Sequence, residues 1–80
     1  MVDQKILDKF QNVLKKENLK LTKQRLAVLN NVVHNDGHRE CDEIYEQIKA
    51  KGEYVSRATV YRTVAILEKY SFLRRLIKLK

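Results

Sequence analysis

The 80-residue sequence predicts one mainly α-helical domain with a little β-structure at its C-terminal end. Three observations lead there. The chain has no proline and only two glycines, so it lacks the punctuation of a multi-stranded sheet. Apolar residues recur at three- and four-residue spacing through four successive stretches. Only Leu73 to Lys80 turns toward alternation, with Ile77 and Leu79 set against Lys78 and Lys80. A chain of this length buries about 60% of the surface its unfolded form exposes, which leaves room for one modest core and no second domain.

The first helix is predicted from Asp3 to about Lys16, where Ile6, Leu7, Phe10, Val13 and Leu14 form an apolar stripe among Lys5, Lys9, Lys15 and Lys16. Glu17-Asn18-Leu19-Lys20-Leu21 breaks that period. Thr22 is a good N-cap, because its hydroxyl can accept from an otherwise orphan amide, and a second helix follows from Lys23 to about His34. Leu26, Leu29 and Val33 are its expected buried stripe, widened by Val28 and Val32. Asn35-Asp36-Gly37 tolerates left-handed backbone and predicts a turn. The third helix should run from about Cys41 to Lys51 and bury Cys41, Ile44, Tyr45 and Ile48, with Gly52 where a C-terminal cap requires positive φ. Glu53-Tyr54-Val55 crosses to a fourth helix, capped by Ser56 and expected to fray near Tyr70-Ser71. Two helices joined by so short a connection make a helix-turn-helix. The strand at 73–80 has no visible mate; it pairs with a stretch elsewhere, with another chain, or with a hairpin partner beyond residue 80. The last option is favoured, and the chain is expected to be part of something longer.

The fourth helix carries the expected function. At about 100° per residue, Val60, Val64 and Leu67 share one edge, which must pack on a core. Arg62 points nearly the opposite way, flanked by Ala58, Thr59, Ala65 and Lys69, with Tyr61 on the shoulder. A forked guanidinium, a phenol and a hydroxyl separated by alanines suit base-edge and phosphate contacts in a DNA major groove. Ser56, Arg57 and Thr59 lie near the helix N-terminus, where amides and dipole favour a phosphate, so backbone positioning is their expected contribution. For Ser56 capping is a sufficient explanation, and the alternative for Tyr61, set behind groove contact, is a ring half packed on the core edge with its hydroxyl in water.

Charge agrees with this reading without selecting it. Seventeen Lys and Arg against ten Asp and Glu give +7 and a pI near 9.7, which favours polyanions: nucleic acid first, anionic membrane second. The first helix is a poor membrane binder, since Asp3, Asp8 and Glu17 interrupt its lysines and its apolar face is needed for the core. No apolar run approaches the ~18 residues of a membrane span, no secretion signal opens the chain, and a lone Cys41 suits a reducing compartment, so a cytoplasmic location is expected. Asp42, Glu43 and Glu46 read as a solvated acidic face turned away from DNA. With no nucleophile beside a matched base and no Gly-rich phosphate loop, an enzyme is not expected.

His34, His38 and Cys41 form His-x3-His-x2-Cys, three candidate ligands for a borderline metal. The spacing is a weak signal without a fourth ligand. His34 reads equally as a partner of its own helix C-terminus, and Cys41 as a small buried hydrophobe.

Three segments together resemble the DNA-binding half of the ferric uptake regulator family: Leu19-Lys20-Leu21-Thr22-Lys23-Gln24-Arg25-Leu26-Ala27-Val28-Leu29, Glu43-Ile44-Tyr45, and Ser56-Arg57-Ala58-Thr59-Val60-Tyr61-Arg62-Thr63-Val64. The resemblance implies a winged helix-turn-helix domain over residues 1–80, three to four helices plus an incomplete β-hairpin whose first strand is Leu73 to Lys80. It implies a metal-dependent or peroxide-responsive transcriptional repressor whose partner is double-stranded DNA, an A·T-rich near-palindrome. Tyr61 and Arg62 would reach bases in the major groove, and Lys20 an adjacent A·T-rich minor groove, although one exposed lysine among many is the plainer reading. Thr22, Gln24 and Arg25 match the opening of the family's second helix, and Thr22 and Arg25 would contact the DNA backbone, unless capping and surface salt bridging account for them. His38 matches a histidine of the regulatory metal site. The C-terminal domain that dimerises and completes that site is expected to be absent, so no tightly bound cofactor is expected here; a divalent metal (Fe, Zn or Mn) and a homodimer belong to the full-length form, and the fragment would be monomeric or weakly dimeric. One departure is Glu40, which stands where relatives usually place a Ser or Thr cap. The alternative reading is a winged helix protein-interaction module that does not touch DNA.

Overall fold

In the computed structural model, which describes residues 3–34 and 40–70, four helices follow one another: α1 (Gln4–Lys16), α2 (Lys23–His34), α3 (Cys41–Ala50) and α4 (Arg57–Lys69). The turn expected at Asn35-Asp36-Gly37 and the strand expected at 73–80 lie outside the described residues, among which there is no strand.

The boundaries follow from backbone chemistry at each end. At the close of α1, Asn18 adopts φ +61°, the Leu19 amide donates to the Leu14 carbonyl at 2.8 Å and the Asn18 amide to the Lys15 carbonyl at 3.0 Å. This is the Schellman arrangement, which satisfies carbonyls the helix leaves unpaired. The end of α3 repeats it around Gly52 at φ +85°, with the Gly52 amide on the Lys49 carbonyl at 2.8 Å and the Glu53 amide on the Ile48 carbonyl at 3.3 Å. Thr22 caps α2 as expected, its hydroxyl accepting from the Arg25 amide at 3.2 Å. Glu40 precedes α3 in extended conformation and its amide donates to the Glu43 carboxylate at 3.3 Å, the reach-back bond of a capping box.

Every helix contributes to one core: Phe10, Val13 and Leu14 from α1, Val28, Leu29 and Val32 from α2, Ile44 and Ile48 from α3, and Val60, Val64, Ile66 and Leu67 from α4. Helices α2, α3 and α4 pack pairwise on one another. Val55, in the α3–α4 connection, is also buried. It precedes the cap Ser56 while Val60 follows four residues after it, the two positions of a hydrophobic staple that fixes how the chain enters α4.

Three expectations need correction. The α2 stripe is rotated: Val28, Leu29 and Val32 are fully buried together with Asn31, whereas Leu26 and Val33 are only half-buried. Asn31 can be buried because its Nδ2 donates to Gln47 Oε1 of α3 at 3.1 Å. Cys41 and Tyr45 are half-buried rather than buried. The end of α4 is held rather than loose: Lys69 Nζ and the Tyr70 hydroxyl both donate to Glu17 Oε2, at 2.9 and 2.8 Å, tying it to the end of α1.

These two seams carry predictions. The bonds from Lys69 and Tyr70 hold the Glu17 carboxyl below its ordinary value of 4.5, and Glu17 in turn raises Lys69 and Tyr70. A lowered carboxyl contributes stability above its unfolded value and loses it as pH falls through its folded one. Thermal melts of Glu17→Gln should therefore lie below wild type near neutral pH and converge with it as the pH drops below 4.5. A gap that persists unchanged in acid would show that the seam does not depend on ionised Glu17. Thr63 is 1% exposed and its hydroxyl has no hydrogen-bond partner among the described residues. Replacing it with the near-isosteric Val should stabilise the domain by about 1 kcal/mol, a rise in Tm of roughly 4–8 °C for a domain this small.

Candidate nucleic-acid interface

Five buried residues of α4, Val60, Thr63, Val64, Ile66 and Leu67, fix its rotation about its own axis. What remains outward is the predicted face: Ala58, Tyr61, Arg62, Ala65 and Lys69 are exposed, and Tyr61 is 52% exposed. Thr59 is half-buried, so it belongs to the shoulder rather than the face. Tyr61 is thus not packed into the core edge. Arg62 forms no ion pair among the described residues, and its five guanidinium donors face solvent.

The start of α4 is anchored from two sides. Ser56 Oγ accepts from the Thr59 amide at 3.1 Å and donates to Thr59 Oγ1 at 2.9 Å, so both hydroxyls are engaged in the cap. The Ser56 amide donates to Gln24 Oε1 of α2 at 3.2 Å. The α2 residue Gln24 therefore sets the position of the α4 N-terminus. Next to it, Arg25 Nη1 donates to the Lys20 carbonyl at 2.6 Å, which pins the backbone of the segment bearing Lys20. Lys20 itself is exposed. Thr22 and Arg25 thus have structural tasks, a cap and a clamp, and the clamp orients the segment that carries Lys20.

Arg57 is engaged with α3. Its Nη1 lies 2.8 Å from Asp42 Oδ1, its Nη2 3.9 Å from Glu46 Oε2, and its guanidinium 4.3 Å from the centroid of the Tyr45 ring. The Tyr61 hydroxyl donates to the same Asp42 oxygen at 3.3 Å. The acidic residues are exposed, as the sequence suggested, and Asp42 borders the outward face of α4 and touches two of its residues. No local pattern announces this, because Asp42 stands 15 residues from Arg57 and 19 from Tyr61. Asp42 also raises the Tyr61 phenol, through its charge first and its hydrogen bond second, so the hydroxyl keeps its proton.

Of the three candidate metal ligands, His34 and Cys41 lie among the described residues. His38 lies outside the described residues. His34 Nδ1 donates to the Asn30 carbonyl at 2.9 Å, the interaction with its own helix end that the sequence allowed. Cys41 is half-buried, and burial, followed by the charges of Glu68, Asp42 and Glu40, pushes its thiol up, away from the thiolate a metal requires. Among the described residues no three His, Cys, Asp or Glu side chains are grouped to hold a metal ion. Nor is any helix among them long and apolar enough to cross a membrane.

Comparison with known proteins matches the sequence to one family. The sequence model of the ferric uptake regulator family covers residues 16–79. The chain is 40% identical over 65 residues to the ferric uptake regulation protein of Campylobacter upsaliensis, covering 79% of this chain and 42% of that protein. It is 34% identical over 68 residues to the ferric uptake regulation protein of Helicobacter pylori, covering 85% of this chain and 45% of that protein. The peroxide-responsive repressor PerR of Staphylococcus epidermidis is 27% identical over 63 residues, 79% of this chain and 42% of that protein. No solved structure matches. The chain thus spans less than half the length of these curated relatives. With the matched region running from the end of α1 through α4, this chain belongs to the ferric uptake regulator family.

Proposed function

We propose that this chain is a sequence-reading DNA-binding domain of a metal-dependent or peroxide-responsive transcriptional repressor, with α4 as its recognition helix. The observation that carries the reading is the outward face of α4, where Arg62 and Tyr61 are exposed among alanines on a helix whose opposite face is locked in the core. An α-helix fits the major groove, where the Arg62 fork can donate to guanine O6 and N7 while the Tyr61 ring lies against a thymine methyl. Lys20, on a segment clamped by Arg25, would enter the adjacent minor groove, whose narrow A·T-rich form concentrates negative potential. The rest of the basic surface neutralises phosphates and releases counterions, a contribution without sequence information.

Ser56, Thr59, Thr22 and Arg25 support that placement, the first two by capping α4 where its dipole favours a phosphate and the others by shaping the approach of α2. Arg57 is paired with Asp42 and stacked on Tyr45, so its main work is as a brace. In the full-length protein a homodimer would set two copies of α4 on successive half-sites of an A·T-rich near-palindrome. A divalent metal (Fe, Zn or Mn) would regulate it, with His38 as this chain's contribution.

Fluorescence anisotropy of an A·T-rich palindromic duplex at several salt concentrations tests the reading. Binding by this chain should weaken as salt rises. Arg62→Ala should cost about 1–3 kcal/mol on the specific duplex, and Arg62→Ala with Tyr61→Ala should abolish discrimination against a scrambled duplex while leaving weak, salt-sensitive binding. Equal affinity of wild type and double variant for both duplexes would instead favour a protein-interaction module.

A further inference from the structure

Arg57 is the first residue of α4, the helix assigned to DNA, yet three contacts hold its side chain on α3. Its Nη1 donates to Asp42 Oδ1 at 2.8 Å, its Nη2 lies 3.9 Å from Glu46 Oε2, and its guanidinium stands 4.3 Å from the centroid of the Tyr45 ring. Arg62, on the same helix, forms no ion pair among the described residues. The two arginines of α4 therefore differ in availability: one faces solvent, the other is turned onto carboxylates. The pair of Arg57 and Asp42 is itself open to solvent, with side chains 54% and 62% exposed. Such a pair is weak, so the phosphates of a duplex can compete with it for the guanidinium. Asp42 sets how hard that competition is.

The competition bears on sequence reading because specific and non-specific complexes use phosphates differently. A domain without base contacts can shift along a duplex until each exposed cation meets a phosphate, whereas one held in register by base contacts cannot. Withholding a cation therefore weakens the non-specific complex more than the specific one. We propose that Asp42, backed by Glu46, is a positioning residue that sets specificity: by holding Arg57 on α3 it keeps that cation from the phosphates, and so lowers binding to unrelated sequence more than binding to the sequence that Arg62 and Tyr61 read. The proposal rests on the DNA-binding reading above. Asp42 needs no contact with DNA for this. Its action passes through Arg57, which separates it from a carboxylate that simply repels phosphates.

Wild type is first used to enrich a duplex from a randomised pool. Anisotropy titrations over a series of salt concentrations, on that duplex and on its scrambled counterpart, then compare wild type, Asp42→Asn, Arg57→Gln and the double variant. Asparagine keeps an acceptor for the Tyr61 hydroxyl and removes the charge that holds Arg57. Both positions are exposed, and far-UV circular dichroism verifies that each variant is folded. Asp42→Asn should raise affinity for the scrambled duplex about two- to fivefold at low salt, the range an exposed ion pair supports. It should also steepen the fall of log K with log salt by about 0.9, one further phosphate contact. The preference for the enriched duplex should narrow. In the Arg57→Gln background the same substitution should leave the slope unchanged, because no cation remains to be released. The proposal falls if Asp42→Asn leaves the slope on the scrambled duplex as in wild type, or if it strengthens binding to both duplexes equally. It falls equally if the slope steepens as much without Arg57, which would make Asp42 a source of repulsion alone. Enrichment of no sequence by wild type is a distinguishable failure, because it removes the DNA-reading function itself.

Discussion

The rotation of α4 is the constraint on which the rest of this structure depends. Val60 and Leu67 are fully inaccessible, and Val64, Ile66 and Thr63 are nearly so. Turning the helix by one residue, about 100°, would bring Arg62 or Tyr61 toward the space those side chains occupy. Burying a guanidinium there without a partner would cost several kcal/mol, so the core determines what the surface presents. The outward face is in this sense a by-product of packing: whatever occupies the positions that α2 and α3 do not cover is what a ligand meets.

Rotation alone does not place a helix along its axis. That is done at the two ends, by contacts to different parts of the chain. The Ser56 amide is held by Gln24, and the Lys69 and Tyr70 side chains by Glu17. Between them the α3–α4 connection is kept short by the Gly52 turn and tethered by the buried Val55. The clamp of Arg25 on the Lys20 carbonyl begins in the same turn of α2 that supplies Gln24. Lys20 and the start of α4 are therefore referenced to one turn of α2, which is what the proposed reading of two neighbouring grooves requires.

How much of this could be read from the sequence divides by distance along the chain. The bounds of α2, the Thr22 and Ser56 caps and the left-handed Gly52 were legible because each rests on residues within four positions. The rotation of α4 was legible because its apolar and polar positions separate cleanly. In α2 they do not: residues 26–29 and 32–33 are all apolar, so two neighbouring stripes fit the period equally. The choice was made by α3, through the Asn31 to Gln47 bond that draws a polar residue inward. Within the candidate site, Tyr61 and Arg62 were visible on the helix itself. The partners of Asp42, Gln24 and Glu17 were not, since they lie 15 to 53 residues away and only the packed fold brings them together.

The same distance effect changes how the charge of the chain should be understood. A net charge of +7 counts every cation as equally available to a polyanion. In the folded chain Arg57 is matched by Asp42 and Glu46, and Lys69 by Glu17, so two of the three cations on α4 are engaged within the protein. Arg62 is the third, and it has no ion-pair partner among the described residues. A helix that carried three free cations would bind any duplex through its phosphates, with little left to distinguish one sequence from another. Neutralising two of them from within lowers that indiscriminate attraction and leaves the remaining guanidinium, beside a phenol whose hydroxyl is already committed, as the groups whose geometry must be matched. On the proposed reading, the acidic residues of this basic domain would contribute to discrimination, because they remove charge where charge would carry no information.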